Sequence, residues 1–322
     1  MNPPSNLIYW LLFLAFVVTM LVLDLCVFNR KARAVSLSGA LGWTALWTGL
    51  AAGFAVLLYF HGHSMAGDLA HPNRQLSLEF ITGYLVEEAL SVDNLFVFLL
   101  IFRYFRVPSE LQRKVLFWGV LGALVMRALF IASGVILLNL FHWAMYLFGA
   151  FLCYAGFRLL FQHDEGENPA DSFVTRFAQR HLRLTTDFGD GHFTAVRDGV
   201  QLFTRLALVL IVIEATDVLF AFDSIPAVLA VTRHPFIVFT SNIFAILGLR
   251  SMYFALAGLM EAFHLLHYGL AVILMFIGVK MLGSSYFEIP TVYALVTIVV
   301  VLAISVALSL VIRSPETASA AE

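Results

Sequence analysis

An apolar stretch of membrane-spanning length, residues 210–232, contains three acidic side chains, Glu214, Asp217 and Asp223. A charged side chain at the centre of a bilayer costs roughly 2.5 to 3.5 kcal/mol on insertion scales, so three cost about 8 to 10 kcal/mol. A helix with this sequence can stay in a membrane only if its acids face other protein segments rather than lipid. The stretch therefore predicts a helix inside a multi-helix membrane bundle.

A second stretch of the same kind lies at residues 83–102, where Glu87, Glu88 and Asp93 sit in an equally apolar setting. Two acidic helices can keep their charged side chains away from lipid by packing against one another around a common polar centre. The sequence therefore predicts a shared site between these two spans.

The composition excludes a soluble globular protein. Of 322 residues, 61% are hydrophobic and 12% are charged, and the mean hydropathy is +0.90, which is typical of a polytopic membrane protein. The net charge of −2, without a basic block, argues against a nucleic-acid partner. Cys26 and Cys153 lie inside apolar runs without metal-type spacing, so neither a zinc site nor a disulfide framework is indicated.

Nine segments are long and apolar enough to cross a bilayer, which requires about 20 residues each. The first is too long for a signal-peptide core and lacks a small-residue cleavage site, so we interpret it as a retained span. The predicted fold is an all-α polytopic membrane protein with nine transmembrane helices. The spans lie near residues 7–28, 37–60, 77–102, 115–138, 143–162, 202–232, 236–260, 264–283 and 291–312.

Lysine and arginine positions predict the orientation. Nine spans place the termini on opposite sides, and cytoplasmic loops carry the excess of basic residues. With the N-terminus periplasmic and the C-terminus cytoplasmic, the outer loops hold only Arg74 and Arg233. The inner segments then hold Arg30, Lys31, Arg33, Arg103, Arg106, Arg113, Lys114, Arg176, Arg180, Arg183, Arg197 and Arg313.

Residues 88–160 and 214–282 resemble each other at charged as well as apolar positions, which predicts an internal repeat formed by spans 3–5 and 6–8. Each copy holds three spans, an odd number, so the second copy enters the membrane from the opposite face. Inverted repeats are typical of secondary transporters, whose substrate sites lie near midplane between the copies. Chance similarity of apolar segments is the alternative. The matched landmarks are Glu88 with Glu214, Arg127 with Arg250, Gly156 with Gly278 and Arg158 with Lys280.

The chain accordingly divides into five parts. The hydrophilic part is predicted to contain a short helix starting near Asp171 or Ser172 and a hairpin around an Asp-Gly turn. In order, the parts are an N-terminal two-span segment (1–76), the first three-helix repeat (77–162), a cytoplasmic loop (163–201), the second repeat (202–284) and the last span with a short cytoplasmic tail (285–322).

The intramembrane acids are the candidate metal ligands. Pro226 predicts a kink or unwinding near Asp223 that would turn this acid and free carbonyls inward. An all-oxygen ligand set suits Mn²⁺, Mg²⁺ or Ca²⁺ and suits Cu(I) or Zn²⁺ poorly. The candidate ligands are Glu88, Asp93, Asn94, Glu214, Asp217 and Asp223, with Asp24 and Glu87 as second-tier candidates.

Basic side chains in the spans leave an alternative open. Arg127, Arg250 and Lys280 are the candidate charge partners of the acids. The acids could merely pair with Arg127 and Arg250 as ties between helices. Outside the spans, His61, His63 and His71 could collect metal on exit, although solvated loop histidines are commoner.

Four stretches carry a resemblance to the TerC family, and the chain is similar to Alx-like members over nearly its full length. The resemblance implies a multi-pass protein of the bacterial inner membrane that exports manganese, with historical links to tellurium resistance and alkaline pH. It also implies functional roles for the intramembrane acids named above, with Asn94 in the same motif. The stretches are EEALSVDNLFVF, EATDVLFAFDSIPAVLAVT, PFIVFTSNIFAILGLRSMYFALAG and YGLAVILMFIGVKML.

The sequence hypothesis is a secondary transporter that exports a divalent metal, Mn²⁺ first, in exchange for protons. The chain has no nucleotide-binding motif and no protease or hydrolase motif within its spans, so it is not expected to be an enzyme or to hold a tightly bound cofactor. The expected partners are the metal ion, protons and membrane lipid, and homo-oligomerisation stays open. The alternative is a non-transporting membrane scaffold or sensor in the response to metal, tellurite or redox stress.

Overall fold

The computed structural model describes most of the chain. The described residues are 6–28, 37–68, 70–141, 143–161, 175, 180, 182, 184, 185, 187–197, 200–257, 265–284 and 289–311.

Nine long helices make up most of this part of the chain, and each coincides with one predicted span. The predicted all-α polytopic membrane fold is confirmed. The helices are α1 (Leu7–Phe28), α2 (Leu37–Ala66), α3 (Asn73–Tyr104), α4 (Ser109–Leu140), α5 (Ala144–Phe161), α6 (Arg205–Leu229), α7 (Pro235–Ala257), α8 (Leu266–Gly283) and α9 (Thr291–Val311).

Six of the helices, α2, α4, α5, α7, α8 and α9, are long and apolar enough to cross a membrane by themselves. The acid-rich helices α3 and α6 are not among the six, because the apolar stretch of each carries three acidic side chains. They need the protein interior around them. In the most apolar 18-residue stretch of α7, 83% is buried inside the protein, whereas in the corresponding stretch of α9 only 17% is buried. Helix α7 therefore lies at the core of the bundle and α9 at its periphery.

Four helices surround the polar centre. Helix α7 packs against α2, α3 and α4, while α6 packs against α3 and α4. On the side nearest α1 and α2, aromatic rings fill the core, with Phe54 and Phe244 5.1 Å apart and Phe54 and Phe80 5.1 Å apart. This packing fixes α3 and α7 relative to each other.

Helices α5 and α8 approach closely through glycines. A β-carbon at Gly278 would lie 2.7 Å from the carbonyl oxygen of Gly149, and one at Gly156 would lie 2.7 Å from that of Ala271. Small residues allow such contact between membrane helices. In the repeat alignment Gly156 matches Gly278 and Gly149 matches Ala271. The contact of Gly278 with Gly149 therefore corresponds to the contact of Gly156 with Ala271, as expected if a two-fold axis related the two copies. The inverted repeat itself stays a prediction.

The two ends of the bundle are distinct. At the end we name the histidine end, the α2–α3 and α6–α7 turns meet, since His234 Nε2 lies 2.8 Å from Asp68 Oδ2. At the opposite, hairpin end, Lys114 Nζ donates to the carbonyl of Gly191 at 2.7 Å. The α2–α3 and α6–α7 turns thus lie at one end and the starts of α4 and α6 at the other, as consecutive membrane-crossing helices require.

A β-hairpin precedes α6. Strands β1 (Thr194–Arg197) and β2 (Val200–Phe203) pair antiparallel, with Thr194 opposite Phe203 and Arg197 opposite Val200. The predicted helix from Asp171 or Ser172 lies largely outside the described residues.

Candidate functional site

A polar stripe runs along the buried face of α3. Its members, Glu79, Gly83, Glu87, Ser91 and Asn94, are three or four residues apart and therefore share one side of the helix. A β-carbon at Gly83 would lie 3.0 Å from the Ser241 hydroxyl of α7, so the stripe faces α7. Glu87, Ser91 and Asn94 are each no more than 3% exposed.

Arg127 of α4 is the centre of the buried polar network. It forms an ion pair with Glu87, and both side chains are fully buried. The same Nη1 atom donates to Ser224 Oγ at 3.3 Å and to Asn242 Oδ1 at 3.0 Å. Ser91 Oγ donates to Glu87 Oε1 at 3.4 Å. The network therefore joins α3, α4, α6 and α7.

Several atoms of this network have unused bonding capacity. Glu87 Oε2, Arg127 Nε and Nη2, and Asn94 Nδ2 are buried and have no hydrogen-bond partner. An unsatisfied buried polar group costs about 1–3 kcal/mol, and each such group in a folded protein calls for an explanation such as a bound water or ion. The network is thus capable of binding a further polar or charged species.

Asp217 of α6 lies next to this network. It is 6% exposed and interacts electrostatically with Arg127 and Glu87. Asp217 and Arg250 line a small cavity between α3, α4, α6 and α7, and the Arg250 guanidinium lies 5.8 Å from the centre of the Phe117 ring. The other lining residues are Leu95, Phe98, Leu116, Gly119, Val120, Ala123, Ile213 and Leu249.

Glu214 lies one turn before Asp217 and contacts α4 at a glycine. A β-carbon at Gly122 would overlap the Glu214 carboxylate, so the absence of a side chain there makes room for the acid. Glu214 also interacts electrostatically with Asp217. The two acids of α6 are therefore close to each other on the side of α6 that packs against α4.

Glu88 is separate from Glu87 although it is the next residue. The Tyr84 hydroxyl donates to the Glu88 carboxyl group, and its oxygen lies 3.5 Å from Thr48 Oγ1 of α2. Glu88 Oε2 is buried without a partner. Glu88 is thus linked to α2 through Tyr84, whereas Glu87 faces Arg127.

The remaining candidates are placed as follows. The side chains of Asp24 and Asp93 lie outside the described part of the chain, although their backbones belong to α1 and α3. Asp223 is half-buried on α6. The unwinding predicted there is wrong, because α6 stays helical through Pro226 to Leu229, whereas the alternative, a kink at that point, stays a prediction. Pro226 lies in the last helical turns, where its own carbonyl accepts from the Ala230 N–H at 2.9 Å.

Lys280 and Glu79 mark the histidine end of the stripe. Lys280 Nζ donates to the carbonyl of Ala230 at 3.3 Å and interacts electrostatically with Glu79. Glu79 accepts from Thr232 Oγ1 at 2.6 Å and from Gln75 Nε2 at 3.0 Å. Sequence reasoning did not select Glu79 as a site residue; its spacing of four residues from Gly83 and eight from Glu87 was the available signal.

The intramembrane acids extend along the bundle instead of forming one compact cluster. Among the described side chains, three carboxylate, imidazole or thiol groups have ligand atoms within 4.8 Å of one another at Asp68, His71 and His234. That group lies at the histidine end, outside the spans. Of the three loop histidines in the sequence hypothesis, His71 belongs to it, while His61 and His63 lie in the last turns of α2.

Comparison with known proteins identifies the family. The family described as "Integral membrane protein TerC family" matches residues 73–317, which include both acidic helices. The chain belongs to the TerC family. No solved structure matches the chain.

Three relatives are similar to this TerC protein along almost its whole length. "Uncharacterized membrane protein STKORF319" of Myxococcus xanthus is 47% identical over 302 residues, covering 94% of this chain and 92% of the relative. "Putative membrane-bound redox modulator Alx" of Salmonella typhi is 43% identical, with 96% of each chain covered. "Uncharacterized membrane protein" of Rickettsia felis is 33% identical, covering 94% and 97%.

Proposed function

We propose that this TerC protein is a secondary transporter that carries a divalent metal ion, Mn²⁺ first among the candidates, from the cytoplasm to the periplasm across the bacterial inner membrane. One observation carries the proposal. The centre of the bundle holds a buried, acid-rich polar network in which Glu87, Arg127 and Asn94 keep unpaired atoms.

Such a network is costly for a purely structural core. Replacing a buried ion pair with well-packed apolar residues is often neutral or stabilising, so an ion pair is weak support for a structural purpose. Here Asp217 and Glu214 add carboxylates beside the one pair between Glu87 and Arg127. Intramembrane ionisable residues by default indicate an ion or proton pathway.

The charge and the donor atoms favour a cation with oxygen ligands. Carboxylates supplemented by the Asn94 amide and the Ser91 and Ser224 hydroxyls suit a hard or borderline divalent ion. An oxyanion substrate would need the opposite balance of charge. Asp217 and Glu214 are the primary ligands in this proposal, and Glu88, Asp93, Asn94 and Asp223 complete the set along the path.

Arg127 supplies the countercharge of the ion-free state. Its guanidinium neutralises Glu87 and acts on Asp217, and a divalent ion arriving at Asp217 would take over part of that role. The arginine then has two arrangements, with and without the ion, which alternating access requires. Energy comes from an ion gradient, most simply from protons that enter as the metal leaves.

Metal flux into proteoliposomes tests the proposal. The assay compares Mn²⁺, Mg²⁺, Ca²⁺ and Zn²⁺ at two pH values, for the wild type and for Glu214→Gln combined with Asp217→Asn. We expect Mn²⁺ flux in the wild type and its loss in the double variant. The matched control, Glu110→Gln, removes an exposed acid in the first turn of α4 and should transport normally. Normal flux in the double variant would contradict the ligand assignment.

A non-transporting scaffold or sensor is the second candidate. The Arg127 network connects four helices, as expected in a bundle whose helices do not move relative to one another. In addition, the Salmonella relative carries the name of a redox modulator. The same assay separates the two functions, because a scaffold binds metal without translocating it.

A further inference from the structure

A second group of metal-ligating side chains lies at the histidine end. Asp68 Oδ2 is 2.6 Å from His71 Nδ1 and 2.8 Å from His234 Nε2. The two imidazole rings are 5.0 Å apart and nearly perpendicular, at 77°. Two nitrogens and one oxygen, all of ligand type, therefore converge on one point.

The turn after α2 holds Asp68 in place. Gly67 adopts the left-handed backbone conformation at φ 71°, which ends the helix. The Asn6 side-chain amide donates to the carbonyl of Ala66 at 3.1 Å. The Ala70 N–H donates to Asp68 Oδ1 at 2.7 Å, which leaves Oδ2 directed at both histidines.

His234 comes from the separate turn between α6 and α7. Its N–H donates to Thr232 Oγ1 at 3.2 Å, and its carbonyl accepts from the Val238 N–H at 2.9 Å. The same Thr232 hydroxyl donates to Glu79 at 2.6 Å. The group is thus connected through one side chain to the polar stripe of α3.

The chemistry of the group differs from that of the membrane interior. Two imidazoles and one carboxylate suit a borderline divalent cation such as Zn²⁺, Co²⁺ or Ni²⁺. The backbone bond to Oδ1 orients the carboxylate, as outer-shell hydrogen bonds commonly do. With metal–ligand bonds of about 2.0–2.2 Å, tetrahedral ligand atoms lie roughly 3.3 Å apart, so the rings need to retreat by less than about 1 Å.

The group is also accessible and charged. The side chains of His71, His234 and Asp68 are 42%, 24% and 14% exposed, which leaves room for a water ligand. Burial acts to raise the pKa of Asp68, but hydrogen bonds from His71 and Ala70 and the charge of His234 lower it overall.

We propose that Asp68, His71 and His234 form a metal site distinct from the intramembrane acids, and that a borderline divalent cation bound there ties the α2–α3 turn to the α6–α7 turn. The bound ion holds the histidine end of the bundle closed. The proposal does not depend on transport, because it requires only binding.

Isothermal titration of the purified full-length protein in detergent with Zn²⁺ tests the site. His71→Gln and His234→Gln each replace a ligand with a side chain that still forms hydrogen bonds. The control is His192→Gln, an exposed histidine at the hairpin end of the molecule. We expect the wild type and the control to bind one more Zn²⁺ per chain than either ligand variant. Equal stoichiometry and affinity in all four proteins would overturn the site.

Two further readouts keep the test decisive if a variant folds poorly. In the wild type, Co²⁺ should give the visible absorption bands of a nitrogen-ligated ion, and Zn²⁺ should displace it. Zn²⁺ should also raise the unfolding temperature of the wild type and of His192→Gln, with a smaller rise in His234→Gln. A wild type that gives no Co²⁺ bands and no Zn²⁺-dependent rise contradicts the proposal without reference to any variant.

Discussion

Arg127 shows how much one buried side chain can control. Its Nη1 atom bonds to groups of three other helices, while Nε and Nη2 stay unpaired. In a fully desolvated setting, the loss of one member of an ion pair leaves the other charge uncompensated, and that cost exceeds the net value of the pair.

Substitution of Arg127 by Leu should therefore destabilise the protein by about 3–5 kcal/mol, because Glu87 then stays buried and charged without a cationic partner. Combining it with Glu87→Leu should recover most of the loss. Denaturant unfolding in detergent, analysed as a double-mutant cycle, measures both effects. Arg74→Leu, at an exposed site in the first turn of α3, serves as the control. If Arg127→Leu is as stable as that control, the ion pair does not contribute to the stability of the fold.

At the residue scale, sequence reasoning found the acids but not their pairing. The apolar setting alone indicates that Glu87, Glu88 and Asp217 must face protein. It does not indicate which of two adjacent glutamates faces Arg127, because that choice depends on the rotation of α3 about its axis. The structure directs Glu87 to Arg127 and Glu88 to Tyr84.

At the element scale, glycines set where helices touch. Gly122 of α4 leaves the space that the Glu214 carboxylate of α6 occupies, and Gly149, Gly156 and Gly278 bring the backbones of α5 and α8 together. Hydropathy predicts the helices but not these contacts, since an apolar helix can present any face to its neighbour.

Gly122→Ala should change function more than stability. The new methyl group overlaps the end of a flexible side chain, which can swing away, so the fold tolerates the change while the Glu214 carboxylate moves. A ligand displaced at a cost of about 1.4 kcal/mol lowers metal affinity tenfold, and we expect a rise of that order in the Mn²⁺ concentration giving half-maximal flux. Gly53→Ala on α2, where a β-carbon meets open space, is the control. Identical transport by the two variants would refute the placement of Glu214.

Gly156→Ala and Gly278→Ala should destabilise the protein by similar amounts. In each, the β-carbon meets backbone atoms of the opposing helix at 2.7 Å, so α5 and α8 must separate. Overpacking of this kind costs about 1–3 kcal/mol. Thermal unfolding in detergent measures it, with Gly42→Ala as the control because nothing lies within 4 Å of its added carbon. A large loss in one variant and none in the other would argue against two-fold equivalence.

At the scale of the whole molecule, the number of helices and their alternation followed from the sequence, because each span is long and apolar. The contact between the α2–α3 turn and the α6–α7 turn did not follow from the sequence. Asp68 and His234 are far apart in the chain, and only the assembled bundle places them 2.8 Å apart.

Orientation in the membrane is testable by cysteine labelling. In a background with Cys26 and Cys153 replaced by Ser, Arg74→Cys lies at the histidine end and Glu110→Cys at the hairpin end. Because basic residues concentrate on the predicted cytoplasmic side, a membrane-impermeant maleimide added to intact spheroplasts should label position 74. Position 110 should react only after permeabilisation. The reverse pattern would invert the topology.

The central claim is that a divalent cation binds between α3, α4 and α6 in the middle of the bundle. Anomalous X-ray scattering at the manganese edge, from crystals of the full chain loaded with Mn²⁺, locates the ion directly. The expected result is a peak about 2.0–2.6 Å from carboxylate oxygens of Asp217 and Glu214, adjacent to the pair of Glu87 and Arg127. A fully loaded crystal whose peaks all lie away from those carboxylates, at Asp68 or on the surface, would contradict the claim.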